Sequence, residues 1–158
     1  MTQRRSSSRR GAEIIEVSLI IVPLLGLTFL LLDLSMVLFL RSTFQHAVRE
    51  GVRYGITGDN ATGPCQDDSI KQVVKNSAIG FLNSTTASAT IHVHFMSPVN
   101  GSRSDNSPGN IIQVSVENYR YGPLAPYQRV GSNPTIWARA YDLVEPYPGS
   151  LPCVTTSE

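Results

Sequence analysis

Between Val17 and Leu40 the chain runs for 24 residues with a single charge, Asp33. At a rise of about 1.5 Å per residue, a helix of that length crosses the hydrocarbon core of a bilayer, roughly 30 Å thick. A wholly cytosolic protein is therefore excluded. The flank before it, MTQRRSSSRRG, carries Arg4, Arg5, Arg9 and Arg10 and no acidic residue. Such a flank stays cytoplasmic under the positive-inside rule and sends the C-terminal part across, although Arg41, Arg49 and Arg53 follow on the far side. A removable secretory signal has an apolar core of only about 7–15 residues with a small-residue cleavage site after it. Here the core is longer and Arg41-Ser42-Thr43-Phe44 follows. The run reads as a retained anchor over 12–40, behind a basic leader over 1–11.

A different kind of processing is written just before the anchor. In Arg9-Arg10-Gly11-Ala12-Glu13-Ile14-Ile15-Glu16, a basic leader ends in glycine and a glutamate lies five residues beyond it. The arrangement resembles a type IV prepilin signal, cut on the cytoplasmic side after Gly11, with Glu16 the fifth residue of a chain that then begins at Ala12. A carboxylate just inside an apolar helix is costly unless paired, and the new α-amino group of a neighbouring subunit is a fitting partner. The plainer alternative places Glu16 in the headgroup region and makes Gly11 a linker residue. Cleavage would remove four arginines and leave nine basic against twelve acidic residues.

Within the run, Pro23 removes a helical hydrogen bond and predicts a kink, with Gly26 easing the bend. Asp33 is expensive among apolar neighbours and is expected to face another helix, a polar group or a local water defect. The helix is expected to continue over 41–55. There Arg41, Gln45, Arg49 and Arg53 recur every four residues beside an apolar stripe of Phe44, Val48 and Val52. Ala47, Gly51 and Gly55 add a row of small residues that lets another backbone come close.

After Gly55 the composition changes. ITGDNATGPC is a turn-rich loop, and Gln66 to Leu82 reads as an amphipathic helix with Ile70, Val73, Val74, Ala78 and Phe81 on its apolar face. Three strand candidates follow, Ala89 to Phe95, Ile111 to Tyr121 and Thr135 to Leu143. The pattern predicts an α+β protein: a long N-terminal transmembrane helix continuing into a small periplasmic domain over 56–146. That domain has one further helix and a three- to four-stranded antiparallel sheet, with a tail over 147–158.

Arg10-Gly11 with Glu16, then Val22-Pro23-Leu24-Leu25 and Asp33-Leu34, then Ala47-x-Arg49-Glu50-Gly51-Val52-Arg53-Tyr54 together resemble the TadE-like family. Val114-x-Val116-x-x-Tyr119-x-Tyr121-Gly122-Pro123-Leu124 and the closing strand through Ala138, Ala140 and Glu145 are similar too. The resemblance implies a minor pseudopilin-like component of the tight-adherence machinery that assembles Flp-type pili, set in the bacterial inner membrane. It implies a prepilin peptidase and other minor pseudopilins as partners. Gly11, Ala12 and Glu16 would serve processing, while Glu16, Pro23, Asp33, Ala47, Gly51, Arg53 and Tyr54 would serve helix packing and assembly. Val17 stands where an aromatic often follows the glutamate.

Cys65 and Cys153 are the only cysteines, and both fall on the expected outer side. In an oxidising compartment such a pair suggests a disulfide, with two free thiols as the alternative. No catalytic constellation emerges. His92 and His94 share one strand face without a nearby Cys, Asp or Glu to complete a ligand set, and His46 and Glu50 form an ordinary i,i+4 helix pair. Phosphate-binding and nucleophile-elbow motifs are missing from the sequence. A formal net charge of +1 offers no field for nucleic acid, and no cofactor or small-molecule substrate is expected. The competing reading is a membrane-tethered periplasmic binding or sensory domain unrelated to pili.

Overall fold

A computed structural model of the chain describes residues 7–57, 65–122, 134–147 and 152–154, with side chains from Gly11 onward except that of Ala12. It is α+β: helices α1 (Ser7–Ile56), α2 (Gln66–Ser77) and α3 (Thr85–Ser88), then strands β1 (Ile91–Met96), β2 (Ile111–Arg120) and β3 (Thr135–Leu143). The described residues fall into two compact units, one with α1 up to Met36 and one from Val37 onward that holds the rest of α1, α2, α3 and the three strands.

In the first unit α1 carries the apolar run, and Pro23 sits within the continuous helix. Its hydroxyl residues return their hydrogen bonds to the helix itself. Ser18 Oγ donates to the Ile15 carbonyl at 2.8 Å, Thr28 Oγ1 to Leu24 at 2.9 Å and Ser35 Oγ to Leu31 at 2.7 Å. Polar atoms on an apolar helix are thereby satisfied without any outside partner.

The second unit is built on the last turns of α1. Its sheet is a meander in the order β1-β2-β3, all antiparallel, with Ile91 opposite Val116 and Val114 opposite Ala140. Ile91, Phe95, Ile112, Val114, Val116, Ile136 and Ala138 are buried, as the period of two along each strand requires. Between Val116 and Tyr119 the register slips: Glu117 and Asn118 oppose the single residue Trp137, and Asn118 takes a φ of 57°. This β-bulge reverses the alternation, so that Tyr119 pairs with Ile136 on the core side and reaches Phe44 with ring centroids 4.8 Å apart.

The helix predicted over Gln66 to Leu82 is shorter than that. It stops at Ser77 because Ile79 (φ 53°) and Gly80 (φ 85°) turn the chain left-handed, and a separate one-turn helix, α3, follows. Ser84 caps α3 by accepting from the Ala87 N–H at 3.1 Å.

Candidate assembly helix and its seat

Gly11 and Glu16 lie exposed on α1, one and a half turns apart, and the Ala12 side chain lies outside the described residues. From Ile14 to Leu34 the large apolar side chains are all exposed, and none of the most apolar window of the helix is buried inside the chain. By length and composition this stretch is able to cross a membrane. Such a surface needs lipid or other helices to cover it. Asp33 is the exception, at 2% exposure. Its carboxylate is buried and has an interaction partner.

The next part of α1 is a seat. Leu40, Phe44, Ala47, Val48 and Val52 are buried, while Arg41, Arg49 and Arg53 face outward and Tyr54 is half-buried. The small-residue row is filled from within. A Cβ on Gly51 would stand 2.5 Å from Val74 Cγ2 of α2, and one on Gly55 would collide with Ile112 of β2 and meet Ile70 of α2 at 3.0 Å. Gly51 and Gly55 thus let α2 and β2 of the same chain approach the α1 backbone, and Ala47 beside them is buried.

A lock ties this seat to the C-terminus. Cys65, the residue before α2, is bonded to Cys153 across 88 positions, with Cα atoms 4.8 Å apart. The backbone N–H of Gln66 donates to the Cys153 carbonyl at 2.8 Å. The fully buried Gln66 amide donates to the Gly55 carbonyl at 2.8 Å, and its oxygen accepts from Asn106 Nδ2 at 2.6 Å. Asn106 Nδ2 also donates to the Pro152 carbonyl at 2.9 Å. Two side chains thus join the end of α1, the start of α2, the β1–β2 connection and the tail. Replacing Gln66 by Leu keeps the volume but strands the Gly55 carbonyl and one Asn106 contact. We expect about 1–3 kcal/mol of lost stability, read as a lower unfolding midpoint of the full chain in detergent. A midpoint equal to wild type would show that the bonds are replaced by water at no cost.

The outer sheet face carries His92 and His94, their rings stacked at 6.2 Å, and Arg139, which donates to Glu117 at 2.9 Å. The Arg139 hydrogen bond is the largest influence on the Glu117 carboxyl and holds it below the usual carboxylate range. No group of three or more potential metal-ligating residues occurs among the described residues. An open cleft of about 330 Å³ lies between the α3 segment and the bulge, lined by Phe81, Ser84, Thr90, Asn118 and Arg120 among others.

Residues 11–53 match the family model of TadE-like proteins. This segment is similar to that family. The match takes in Gly11, Glu16, Pro23, Asp33, Ala47, Gly51 and Arg53, and it ends just before Tyr54. It suggests involvement in Tad pilus assembly, with membrane partners of that machinery in general. The strand residues that also resemble the family, from Val114 to Glu145, lie beyond the matched segment. No curated protein and no solved structure matches the chain. Gln66 and Asn106 are the structurally important residues that the sequence reading missed. A polar residue directly after Cys65 and an asparagine in a turn-rich loop carry no periodic signal, so only the fold discloses them.

Proposed function

We propose that the chain is a minor pseudopilin-like structural component of the tight-adherence pilus machinery, without catalytic activity. In this reading it is anchored in the bacterial inner membrane with a cytoplasmic leader and its C-terminal domain in the periplasm. The observation that carries the reading is the conjunction on one helix of a TadE-like segment with an apolar surface left bare from Ile14 to Leu34. A prepilin peptidase would cut after Gly11. That bond lies inside α1, where a glycine costs helix stability, so local unwinding for cleavage is comparatively cheap. Glu16, exposed near the new terminus, would then pair with the α-amino group of a neighbouring subunit. Other minor pseudopilins would cover the bare helix.

The test is the N-terminal residue of protein recovered from native membranes, by intact mass and terminal peptide sequencing, together with a Glu16→Ala variant. A chain starting at Ala12 supports the reading, as does a variant that inserts into the membrane but no longer enters sheared pilus fractions or supports piliation. A retained Arg4 to Arg10 leader with normal piliation by Glu16→Ala would overturn it in favour of a tethered domain.

A further inference from the structure

The place where α1 leaves its apolar run is gripped from two sides. Phe39, half-exposed near the end of that run, meets the Phe81 ring edge-on with centroids 6.2 Å apart. Two residues on, which on a helix is nearly the opposite side, the guanidinium of Arg41 sits 5.6 Å from the centre of the Trp137 ring. Trp137 is 59% exposed despite this contact. On the Phe81 side the chain makes its left-handed turn through Ile79, which is 69% exposed. A β-branched residue at φ 53° is strained, and Asn or Gly would hold the turn at less cost, so stability of the turn does not account for an apolar side chain there.

We propose that Ile79, Phe81 and Trp137, with Arg41, form a membrane-resting surface that seats the small domain in the headgroup layer of its own bilayer. The inference rests on α1 spanning that bilayer. The partner follows from continuity: Phe39 and Leu40 end the apolar run and Arg41 begins the polar part, so groups in contact with Phe39 and Arg41 are held at the depth where hydrocarbon gives way to headgroups. Trp at that level keeps its ring in the apolar boundary with its N–H toward water, which is the ordinary interfacial preference of indole. Arg41 faces lipid phosphate from the same spot while stacking on the ring. The domain would then be held at a set height and tilt on the membrane, presenting its remaining faces to assembly partners.

Trp137 is the only tryptophan, so its emission reports the site directly. The full chain is reconstituted in phosphatidylethanolamine–phosphatidylglycerol vesicles containing lipids brominated either near the headgroup end of the acyl chain or near its methyl end. We expect shallow bromine to more than halve Trp137 emission and deep bromine to act much less. A Phe81→Trp, Trp137→Phe chain is expected to show the same order. Adding Ile79→Asn to that chain should weaken shallow quenching at least twofold without lowering the unfolding midpoint, because Asn tolerates the left-handed turn. Emission quenched freely by aqueous acrylamide but by neither lipid, in protein that resists carbonate extraction, would overturn the membrane-resting surface alone. Stronger quenching by the deep label would overturn it too. Protein released by carbonate would instead overturn the spanning helix, and the inference with it.

Discussion

Full-length protein in which Cys65 and Cys153 are both replaced by serine is expected to unfold at a midpoint roughly 10–30 °C below wild type, corresponding to about 2–5 kcal/mol. The cross-link joins positions 88 apart, and a loop of that size removes unfolded-state entropy equivalent to about 4–5 kcal/mol in the chain-entropy account. Native contacts add to the loss. The Cys153 carbonyl accepts from the Gln66 N–H, and the Pro152 carbonyl accepts from Asn106, so a tail no longer held by the bond releases acceptors that two buried groups use. Against an ordinary domain stability of about 5–15 kcal/mol, that loss is a large fraction of the whole. Thermal unfolding in detergent, with and without reductant, checks this. Reductant should lower the wild-type midpoint toward that of the double variant and leave the variant where it is. A wild-type midpoint unmoved by reductant, with both thiols shown to be free, would mean that the bond contributes nothing.

The order of elements was legible because each announces itself in a short window. The apolar run at Val17 to Leu40, the alternation of Thr135 to Leu143 and the turn-rich stretches need only local pattern, and β3 keeps its expected bounds. What was not legible depends on partners far away in the chain. Gly51 and Gly55 look the same whether the approaching surface is another subunit or Val74 and Ile112 of the same domain. Only the packing decides, and here the chain's own α2 and β2 arrive first. The early end of α2 was hidden for another reason. Ala78, Phe81 and Leu82 continue a helical apolar pattern, but they are brought inward by a left-handed turn at Ile79 and Gly80, which propensity disfavours at an isoleucine. The bulge did leave a trace. The spacing from Val114 to Val116 to Tyr119 to Tyr121 steps by two, three and two, and the odd step is the extra residue that turns both tyrosines toward the core. Asp33 reads from sequence as a group in need of a partner, and the structure buries it.

Phe44→Ala is expected to be among the most damaging single substitutions in the second unit, costing about 3–5 kcal/mol. Phe44 is fully buried, and its ring packs edge-on against Tyr119 at an interplanar angle of 75°. It therefore joins the last turns of α1 to the strand segment beyond the bulge. Truncation removes the transfer energy of the ring and leaves a hole between α1 and the sheet, which a close-packed core relaxes to fill only in part. The aromatic pair adds about 0.5–1.5 kcal/mol beyond area alone. On the outward side of the same helix, Arg49→Ala should change stability by no more than about 0.5 kcal/mol. Thermal unfolding of both full-length variants, with near-ultraviolet circular dichroism to follow the aromatic packing, distinguishes a core seat from an exposed assembly face. Loss of near-ultraviolet signal in Phe44→Ala, with membrane insertion and far-ultraviolet helix signal largely retained, is the expected result, since none of the most apolar window of α1 is buried inside the chain. Equal midpoints for the two variants would mean that the helix extension is not seated on the sheet, and that Ala47 and Gly51 are open to a neighbouring subunit after all.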